Sequence, residues 1–204
     1  MFITFEGIDG SGKSTQITHL TNHLEAKGAE VRVFRDPGGP EVSEKVREIL
    51  LNPDYSVDPI TELLLFSAAR SQLVSEKVLP ALQEGAVVIL DRFYDSTTAY
   101  QGYGRSSMPL TEIEYINRIA SHKRTPDLTI YMKVPLEEAK KRMAETYKDR
   151  MEQAGDTFFN RVIEGFDRMA DKEERFFTVD ATKPPQQVQQ LIWRQVQTLF
   201  PARP

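Results

Sequence analysis

A glycine-rich segment near the start of the chain has the residues and the spacing of a phosphate-binding loop. Residues 7–14 read GIDGSGKS and match G-x-x-x-x-G-K-[ST] at every fixed position. The glycines let the backbone curl so that its N–H groups point inward at phosphate oxygens. Lys13 adds a positive charge for the outer phosphates, and the Ser14 hydroxyl is placed to hold Mg²⁺. The residues expected to contact a donor nucleotide are Gly7, Ile8, Asp9, Gly10, Ser11, Gly12, Lys13, Ser14 and Thr15.

An Asp–Arg pair supplies a second part of such a site. Asp91 and Arg92 directly follow the apolar run Val87–Leu90. An aspartate at a strand end beside a phosphate loop can orient Mg²⁺ or its water shell. The planar guanidinium of Arg92 suits a phosphate group. The alternative is a surface ion pair with no part in the chemistry.

Both features require a sheet that carries them on one edge. Apolar, β-rich runs recur between helical patterns, at Phe2–Phe5, Val31–Phe34, Val87–Leu90, Leu128–Met132 and Phe176–Val179. This alternation predicts a five-stranded parallel sheet with helices on both faces. With the phosphate-loop motif at residues 7–14, it indicates the three-layer α/β fold of P-loop NTPases. Ligands in such sheets bind beyond the carboxyl ends of the strands. We expect one domain over residues 1–204, with a short polar lid at about residues 144–157.

Composition narrows the classes of partner. The chain has 204 residues, no cysteine and a net charge of −4, which exclude disulfides and argue against a broad nucleic-acid-binding face. No apolar stretch approaches the length of a membrane span, and the first strand leaves no room for a signal peptide. We therefore expect a cytoplasmic protein that binds neither nucleic acid nor membrane.

The ordered set of motifs resembles the thymidylate kinase family over nearly the whole chain. The matching segments are FEGIDGSGKST at 5–15, RDPGG at 35–39, LFSAAR at 65–70, DRF at 91–93, STTAYQG at 96–102, RTPDLT at 124–129, DRME at 149–152 and VDAT at 179–182. The resemblance implies a homodimeric enzyme that uses ATP and Mg²⁺ to phosphorylate dTMP to dTDP in dTTP biosynthesis. One departure is Asp36, where similar chains often carry glutamate.

The resemblance also implies which residues bind dTMP. Phe66 would stack on the thymine ring and Arg70 would contact its carbonyl edge, and their spacing of four residues puts them on one face of a helix. Thr97 would meet the remaining polar edge. The full acceptor set is Asp9, Pro37, Phe66, Arg70, Arg92, Thr97, Tyr100 and Gln101.

Three of these residues have more particular implied roles. Tyr100 is similar to the bulky ring that the family places beneath the sugar, where a ribose 2′-hydroxyl would clash. Pro37 would border the base, and Gln101 would help to close the pocket. Asp9 would lie near the 3′-hydroxyl of the acceptor and the metal region; the alternative is a solvated loop carboxylate.

Members of the family place a catalytic arginine either in the phosphate loop or in the lid. This loop has no arginine, whereas the lid carries Arg150 and Arg142 precedes it. The chain therefore resembles the bacterial arrangement, in which Arg150 would offset charge on the transferred phosphoryl group. The catalytic set implied is Lys13, Arg92, Arg150 and Asp9, with Ser14 and Asp91 as metal-holding residues.

Two other functions remain open at this point. The chain could be a kinase for another nucleotide or nucleoside, because the phosphate loop and the Asp–Arg pair would serve that equally. It could also be a non-catalytic P-loop nucleotide-binding module. The second alternative leaves Arg70 and Tyr100 without a task.

Overall fold

Five parallel strands form the centre of the protein, in the order β2-β3-β1-β4-β5. The computed structural model describes residues 1–143 and 150–199. The strands are β1 (Phe2–Glu6), β2 (Val31–Arg35), β3 (Val87–Asp91), β4 (Leu128–Lys133) and β5 (Phe176–Asp180). The predicted sheet is confirmed, and each strand extends one polar residue beyond the apolar run, because backbone pairing does not stop where hydrophobicity does.

Helices occupy the segments between the strands. They are α1 (Lys13–Ala26), α2 (Glu41–Leu51), α3 (Pro59–Leu73), α4 (Leu79–Gln83), α5 (Tyr94–Thr97), α6 (Leu110–Ala120), α7 (Leu136–Arg142), α8 (Asp156–Lys172) and α9 (Pro185–Leu199). Wider π-helical turns at Val74–Val78 and Thr98–Gly104 join α3 to α4 and extend α5. We call residues 94–104 the β3-proximal helix. Residues 144–149 of the predicted lid lie outside the described residues, and the part that follows includes a short 3₁₀ turn at Glu152–Ala154.

Helices cover both faces of the sheet, as predicted. Side chains alternate between faces along a strand. In β3, Val88 and Leu90 pack with Leu73 and Val78 in one apolar cluster. Their neighbour Ile89 belongs instead to the cluster that contains the buried leucines of α1. The outcome is three layers around a sheet whose central strands are buried.

The edge formed by the carboxyl ends of β1 and β3 holds the phosphate loop. The two strands are neighbours, with Phe5 opposite Asp91, and the backbone N–H of Arg92 donates to the carbonyl of Phe5 at 2.9 Å. β3 pairs with one side of β1, and the next strand in the chain, β4, pairs with the other side of β1. Such a reversal opens a crevice at the strand ends. Within residues 1–143 and 150–199, no helix has the length and apolar character that crossing a membrane requires.

Candidate active site

Two adjoining cavities open at this edge of the sheet. The loop cavity, about 430 Å³, is lined by Asp9, Gly10, Gly12, Lys13, Ser14, Thr15, Arg35, Asp36, Arg47, Asp91, Arg92 and Arg142. The helix cavity, about 210 Å³, is lined by Asp9, Asp36, Pro37, Arg47, Leu51, Phe66, Arg70, Arg92, Ser96, Thr97, Tyr100, Gln101 and Met151. All the acceptor residues expected from the sequence thus line one cavity. A third cavity, about 400 Å³, lies on the other side of the β3-proximal helix and includes none of the predicted site residues.

The phosphate loop is held in its curled form by glycines and by Lys13. Gly12 has φ 88°, the left-handed conformation that glycine adopts without strain, and it immediately precedes the first residue of α1. A side chain at Gly10 would bring a Cβ within 2.5 Å of the carbonyl oxygen of Ala139. Lys13 Nζ donates to the carbonyls of Gly7 and Ile8 at 3.0 and 3.1 Å. Gly7, Ile8 and Ser11 shape the loop without lining the loop cavity.

Arg92 lies where the two cavities meet. Its φ is 68°, an uncommon conformation for a residue with a side chain and one that is concentrated at functional sites. Its guanidinium donates to the carbonyl of Gly7 at 2.8 Å, to Ser96 Oγ at 3.2 Å and to Asp9 Oδ1 at 2.7 Å. These bonds fix a planar cation at the entrance to both cavities.

The charges at this junction influence one another. Burial opposes ionisation of Asp9, yet Arg92 and Lys13 outweigh it and lower the pKa of this carboxyl to about 2. Burial, helped by the charge of Arg92, lowers the pKa of Lys13, while Asp9 and Asp91 act in the opposite direction. Asp9 is therefore a carboxylate at any physiological pH, and it balances the charges of Arg92 and Lys13.

Glu6 anchors the β3-proximal helix to the end of β1. Its carboxyl accepts from the backbone N–H of Phe93 at 2.8 Å and from the Ser96 hydroxyl at 2.5 Å. Burial, with a contribution from Asp95, raises the pKa of Glu6 to about 8. Ser96 in turn accepts from Arg92, so the strand end, the helix and the arginine form one network.

Asp91 and Ser14 both line the loop cavity and suit a divalent cation. Asp91 Oδ1 is buried and has no hydrogen-bond partner in the part of the chain that the structure describes. A buried carboxylate oxygen without a donor is costly unless a cation or a ligand satisfies it. Mg²⁺ takes oxygen ligands from one or two protein groups together with phosphates. These two residues therefore fit the metal that the sequence predicts.

Arg70 is buried in the wall of the helix cavity. Its guanidinium donates to Asp36 Oδ2 at 2.5 Å, to Thr97 Oγ1 at 2.7 Å, and to Asn117 Oδ1 and the Phe93 carbonyl at 3.3 and 3.4 Å. An arginine has five N–H groups, so these four bonds leave one, on Nη1, for a ligand. Since Thr97 accepts from Arg70, its own hydroxyl hydrogen remains available to donate.

Asp36, left without a role by the sequence, is the partner that holds Arg70. Burial raises the pKa of Asp36, and Arg70 opposes that rise. Asp36 Oδ1 is buried without a hydrogen-bond partner among residues 1–143 and 150–199 and belongs to the lining of both cavities.

Aromatic rings form the remaining wall of the helix cavity. Phe66 is half-buried on α3, one turn before Arg70. Tyr100 is buried, with its ring edge-to-face against Phe158 and Phe166 of α8 and beneath the guanidinium of Arg92, 5.1 Å from the ring centre. The ring is thereby held rigidly.

The structure places Arg150 elsewhere. Its side chain pairs with Glu62 at 2.6 Å and donates to the carbonyl of Leu50 at 2.8 Å, and it lines neither cavity. A buried carboxylate attracts a guanidinium strongly, which accounts for this position. Arg142 does line the loop cavity, where it donates to the carbonyl of Ala181 at 3.0 Å and to that of Gly10 at 3.4 Å. The role of Arg150 in phosphoryl transfer stays a prediction, which the contacts of Arg150 in this structure do not support.

Arg47 is a site residue that sequence reasoning missed. It projects from α2 into the lining of both cavities and donates to the carbonyl of Pro37 at 3.0 Å. Its position within an amphipathic helix made it resemble any exposed arginine. The one available signal was its place on the first helix after the Pro-Gly loop.

Comparison with known proteins decides the family. A family model described as thymidylate kinase matches residues 5–192. This chain belongs to the thymidylate kinase family. It is 45% identical to the thymidylate kinase of Chlorobaculum parvum over 98% of this chain and 96% of that protein. It is 46% identical to that of Prosthecochloris aestuarii, over 94% and 91%, and 44% identical to that of Caldanaerobacter subterraneus subsp. tengcongensis, over 96% and 94%. The resemblance read from the motifs is confirmed.

Proposed function

We propose that this chain phosphorylates dTMP to dTDP with ATP as donor, one step of dTTP biosynthesis, and that its two cavities receive the two nucleotides. Membership of the thymidylate kinase family supports the reaction and makes the chain an enzyme. The observation that supports the assignment of sites is the junction at Arg92, where the phosphate loop meets a cavity lined by all eight acceptor residues. The helix cavity receives dTMP, and the loop cavity receives the triphosphate of ATP.

Phosphoryl transfer in this arrangement needs no covalent enzyme intermediate. An oxygen of the dTMP phosphate attacks the γ-phosphorus in line, the bond from that phosphorus to the β,γ-bridging oxygen breaks, and ADP leaves. The attacking oxygen is already ionised, so no general base is required. Lys13 and Arg92 supply positive charge to the phosphoryl oxygens, and catalysis rests on positioning and charge stabilisation.

Ser14 and Asp91 are the residues that would hold Mg²⁺. When bound, the ion neutralises charge on the phosphate oxygens of ATP. The bond from Arg92 to Asp9 keeps the guanidinium at the junction of the two cavities. A phosphate group entering beside Arg92 competes with Asp9 for the guanidinium, so acceptor binding exchanges one charge-assisted bond for another.

The helix cavity supplies the contacts that a thymine nucleotide needs. Phe66 offers a ring for stacking, the remaining N–H of Arg70 suits a base carbonyl, and the Thr97 hydroxyl can donate to a second acceptor. The rigid ring of Tyr100 would exclude a 2′-hydroxyl by bulk. The resemblance to the family implies these roles, and the chemistry of the side chains and their shared cavity support them.

The decisive experiment measures ADP release by the purified protein with Mg-ATP and one acceptor at a time. We expect dTMP to give the highest kcat/KM among dTMP, dUMP, UMP, CMP and thymidine, with little ADP formed when no acceptor is present. A higher rate with CMP or thymidine would assign the chain to another acceptor. Slow hydrolysis that no acceptor stimulates would identify a nucleotide-binding module.

We also infer a cytoplasmic homodimer. The supporting observation is a set of large apolar side chains exposed on three helices, of which α3 packs against both α2 and α6. The set is Val42, Ile49, Ile60, Leu64, Tyr115 and Ile119. Exposed apolar groups concentrated in this way are typical of a protein interface. A cytoplasmic location fits an enzyme that draws on ATP and dTMP.

A charge placed on this helical face is expected to separate the subunits. Leu64 is 52% exposed at the centre of the three helices, so Leu64→Glu should shift the protein from dimer to monomer in sedimentation velocity. Leu199→Glu is the matched control, because Leu199 is exposed on α9, away from this face. A wild-type monomer, or a dimer that survives Leu64→Glu and not Leu199→Glu, would contradict the proposed interface.

A further inference from the structure

Glu62 is a buried carboxylate on α3 that lines neither the helix cavity nor the loop cavity. Its side chain is 1% exposed. Three side chains meet it: the Gln101 amide nitrogen at 2.8 Å, Arg105 Nε at 3.2 Å and Arg150 Nη1 at 2.6 Å. Such a carboxylate is tolerated only where partners of this kind compensate for its lost hydration.

The partners of Glu62 come from both sides of the helix cavity. Gln101 belongs to the β3-proximal helix and lines that cavity, and Arg105 follows the same helix. Arg150 opens the segment that resumes after residues 144–149, and its backbone N–H donates to the carbonyl of Leu51 at 3.3 Å. Glu62 therefore connects α3, the β3-proximal helix and the described part of the predicted lid at one buried point.

The charge of Glu62 determines which way the Gln101 carboxamide faces. Glu62 is ion-paired with two guanidinium groups, and a carboxylate in such pairs accepts hydrogen bonds without donating any. Gln101 must then present its NH₂ group to Glu62, because the reversed amide would set its oxygen against a negative charge. Its carbonyl oxygen is left as the group that can accept a hydrogen bond from a ligand in the helix cavity.

We propose that Glu62 is a positioning residue that fixes the Gln101 carbonyl as a hydrogen-bond acceptor and so makes the helix cavity select a base with a ring N–H. This inference rests on the proposed function, in which the helix cavity receives dTMP. Thymine carries a ring N–H between its two carbonyl groups, whereas cytosine has a lone pair at that nitrogen. A fixed acceptor bonds the first and repels the second. Arg105 and Arg150 act through Glu62 by pairing with its carboxylate.

This role makes the discrimination between dTMP and dCMP depend on Glu62. In Glu62→Gln the neutral side chain can donate as well as accept, so the Gln101 amide is free to turn. A turned amide offers its NH₂ group to the lone pair of cytosine. We expect the ratio of kcat/KM for dTMP over dCMP to fall by about tenfold, the size of one exchanged hydrogen bond.

The test is a double-mutant cycle on the full-length enzyme with saturating Mg-ATP. The ratio for dTMP over dCMP is measured in the wild type, Glu62→Gln, Gln101→Leu and the double variant. We expect each single variant to lower the ratio, and the double variant to show no further fall, because Glu62 acts through Gln101. Asp95→Asn is the matched control: Asp95 is a buried carboxylate paired with Arg175 and lines neither the helix cavity nor the loop cavity, so its loss should lower stability and keep the ratio.

Distinct outcomes overturn distinct statements. An unchanged ratio in folded Glu62→Gln, or an equal fall when Gln101 is already leucine, overturns the role of Glu62. If Glu62→Gln does not fold, Glu62→Asp keeps the charge but is too short to reach Gln101 and both arginines. An unchanged ratio in folded Glu62→Asp likewise overturns the role. No transfer to dTMP by the wild type would overturn the proposed function itself.

Discussion

Replacing Lys13 by methionine is expected to lower kcat by about a thousandfold, the upper range for loss of one charge-stabilising donor at a transition state. Lys13 is the first residue of α1 and lines the loop cavity, and its ammonium donates to two carbonyls of the phosphate loop. It can exchange those acceptors for phosphate oxygens without leaving the loop. Methionine retains most of the length of the side chain and removes only the charge and the donors.

The measurement is steady-state ADP release with dTMP, together with the affinity for an ATP analogue and the thermal unfolding midpoint. Lys13 is only 6% exposed, so part of the effect could come from a loosened loop, and the unfolding midpoint separates that part. Lys27→Met, at an exposed lysine at the other end of α1, is the matched control and should leave kcat unchanged. Near-normal turnover by a folded Lys13→Met protein would remove Lys13 from the transfer step.

The fold could be predicted from the sequence because its strands carry a local signal. The runs that become β1 and β3 are short, apolar and β-branched or aromatic, and the phosphate loop identifies the first of them. The end of β3 could be placed for the same reason, and Asp91 and Arg92 lie there. The carboxyl ends of parallel strands lie at the same edge of the sheet, so a residue that follows a strand in the sequence can be assigned to that edge.

The β3-proximal helix gave no such signal. Its sequence is rich in serine, threonine and glycine, which have low helix propensity. Tertiary packing overrides this: a Cβ at Gly104 would come within 2.6 Å of the Phe158 ring, and one at Gly165 within 2.7 Å of the Tyr103 ring. The helix and α8 therefore approach so closely that only glycine fits at these two positions. Periodicity in a single sequence cannot show a contact of that kind.

The pairs that hold the site together were equally hidden. Asp36 and Arg70 are 34 residues apart, and Glu62 meets partners that are 39 to 43 residues away and, in Arg150, further still. A charged residue at a position that the periodic pattern assigns to the core contradicts that pattern unless its buried partner is known. The pairing of Arg150 with Glu62 on α3 was hidden in the same way, because the motif around Arg150 gives no sign of it.

Removing Arg70 is expected to have the largest effect on stability. Arg70→Ala leaves Asp36 buried without its cation and removes the hydrogen bonds to Thr97 and Asn117. Breaking a buried ion pair by deleting one partner costs about 3–5 kcal/mol in the free energy of unfolding. Arg168→Ala is the matched control, because Arg168 is exposed and pairs with Glu164 one turn away on α8, where an ion pair in contact with solvent contributes little to stability.

The pH dependence of the Arg70→Ala variant identifies Asp36 as the cause. Burial raises the pKa of Asp36 above that of the unfolded chain, and removing Arg70 raises it further. Between the two pKa values, the folded variant holds a proton on Asp36 that the unfolded chain has released. The free energy of unfolding therefore falls as the pH rises from 3.8, the pKa of Asp36 in the unfolded chain, through its higher pKa in the folded variant. Urea unfolding at pH 5 and pH 8 should show that Arg70→Ala loses more free energy of unfolding, relative to the wild type, at pH 8.

Asp36→Asn added to Arg70→Ala should abolish this difference and recover part of the stability, because no charge is then left buried. A loss of stability in Arg70→Ala that is equal at both pH values, or that Asp36→Asn does not relieve, would show that the pair does not stabilise the folded protein in this way.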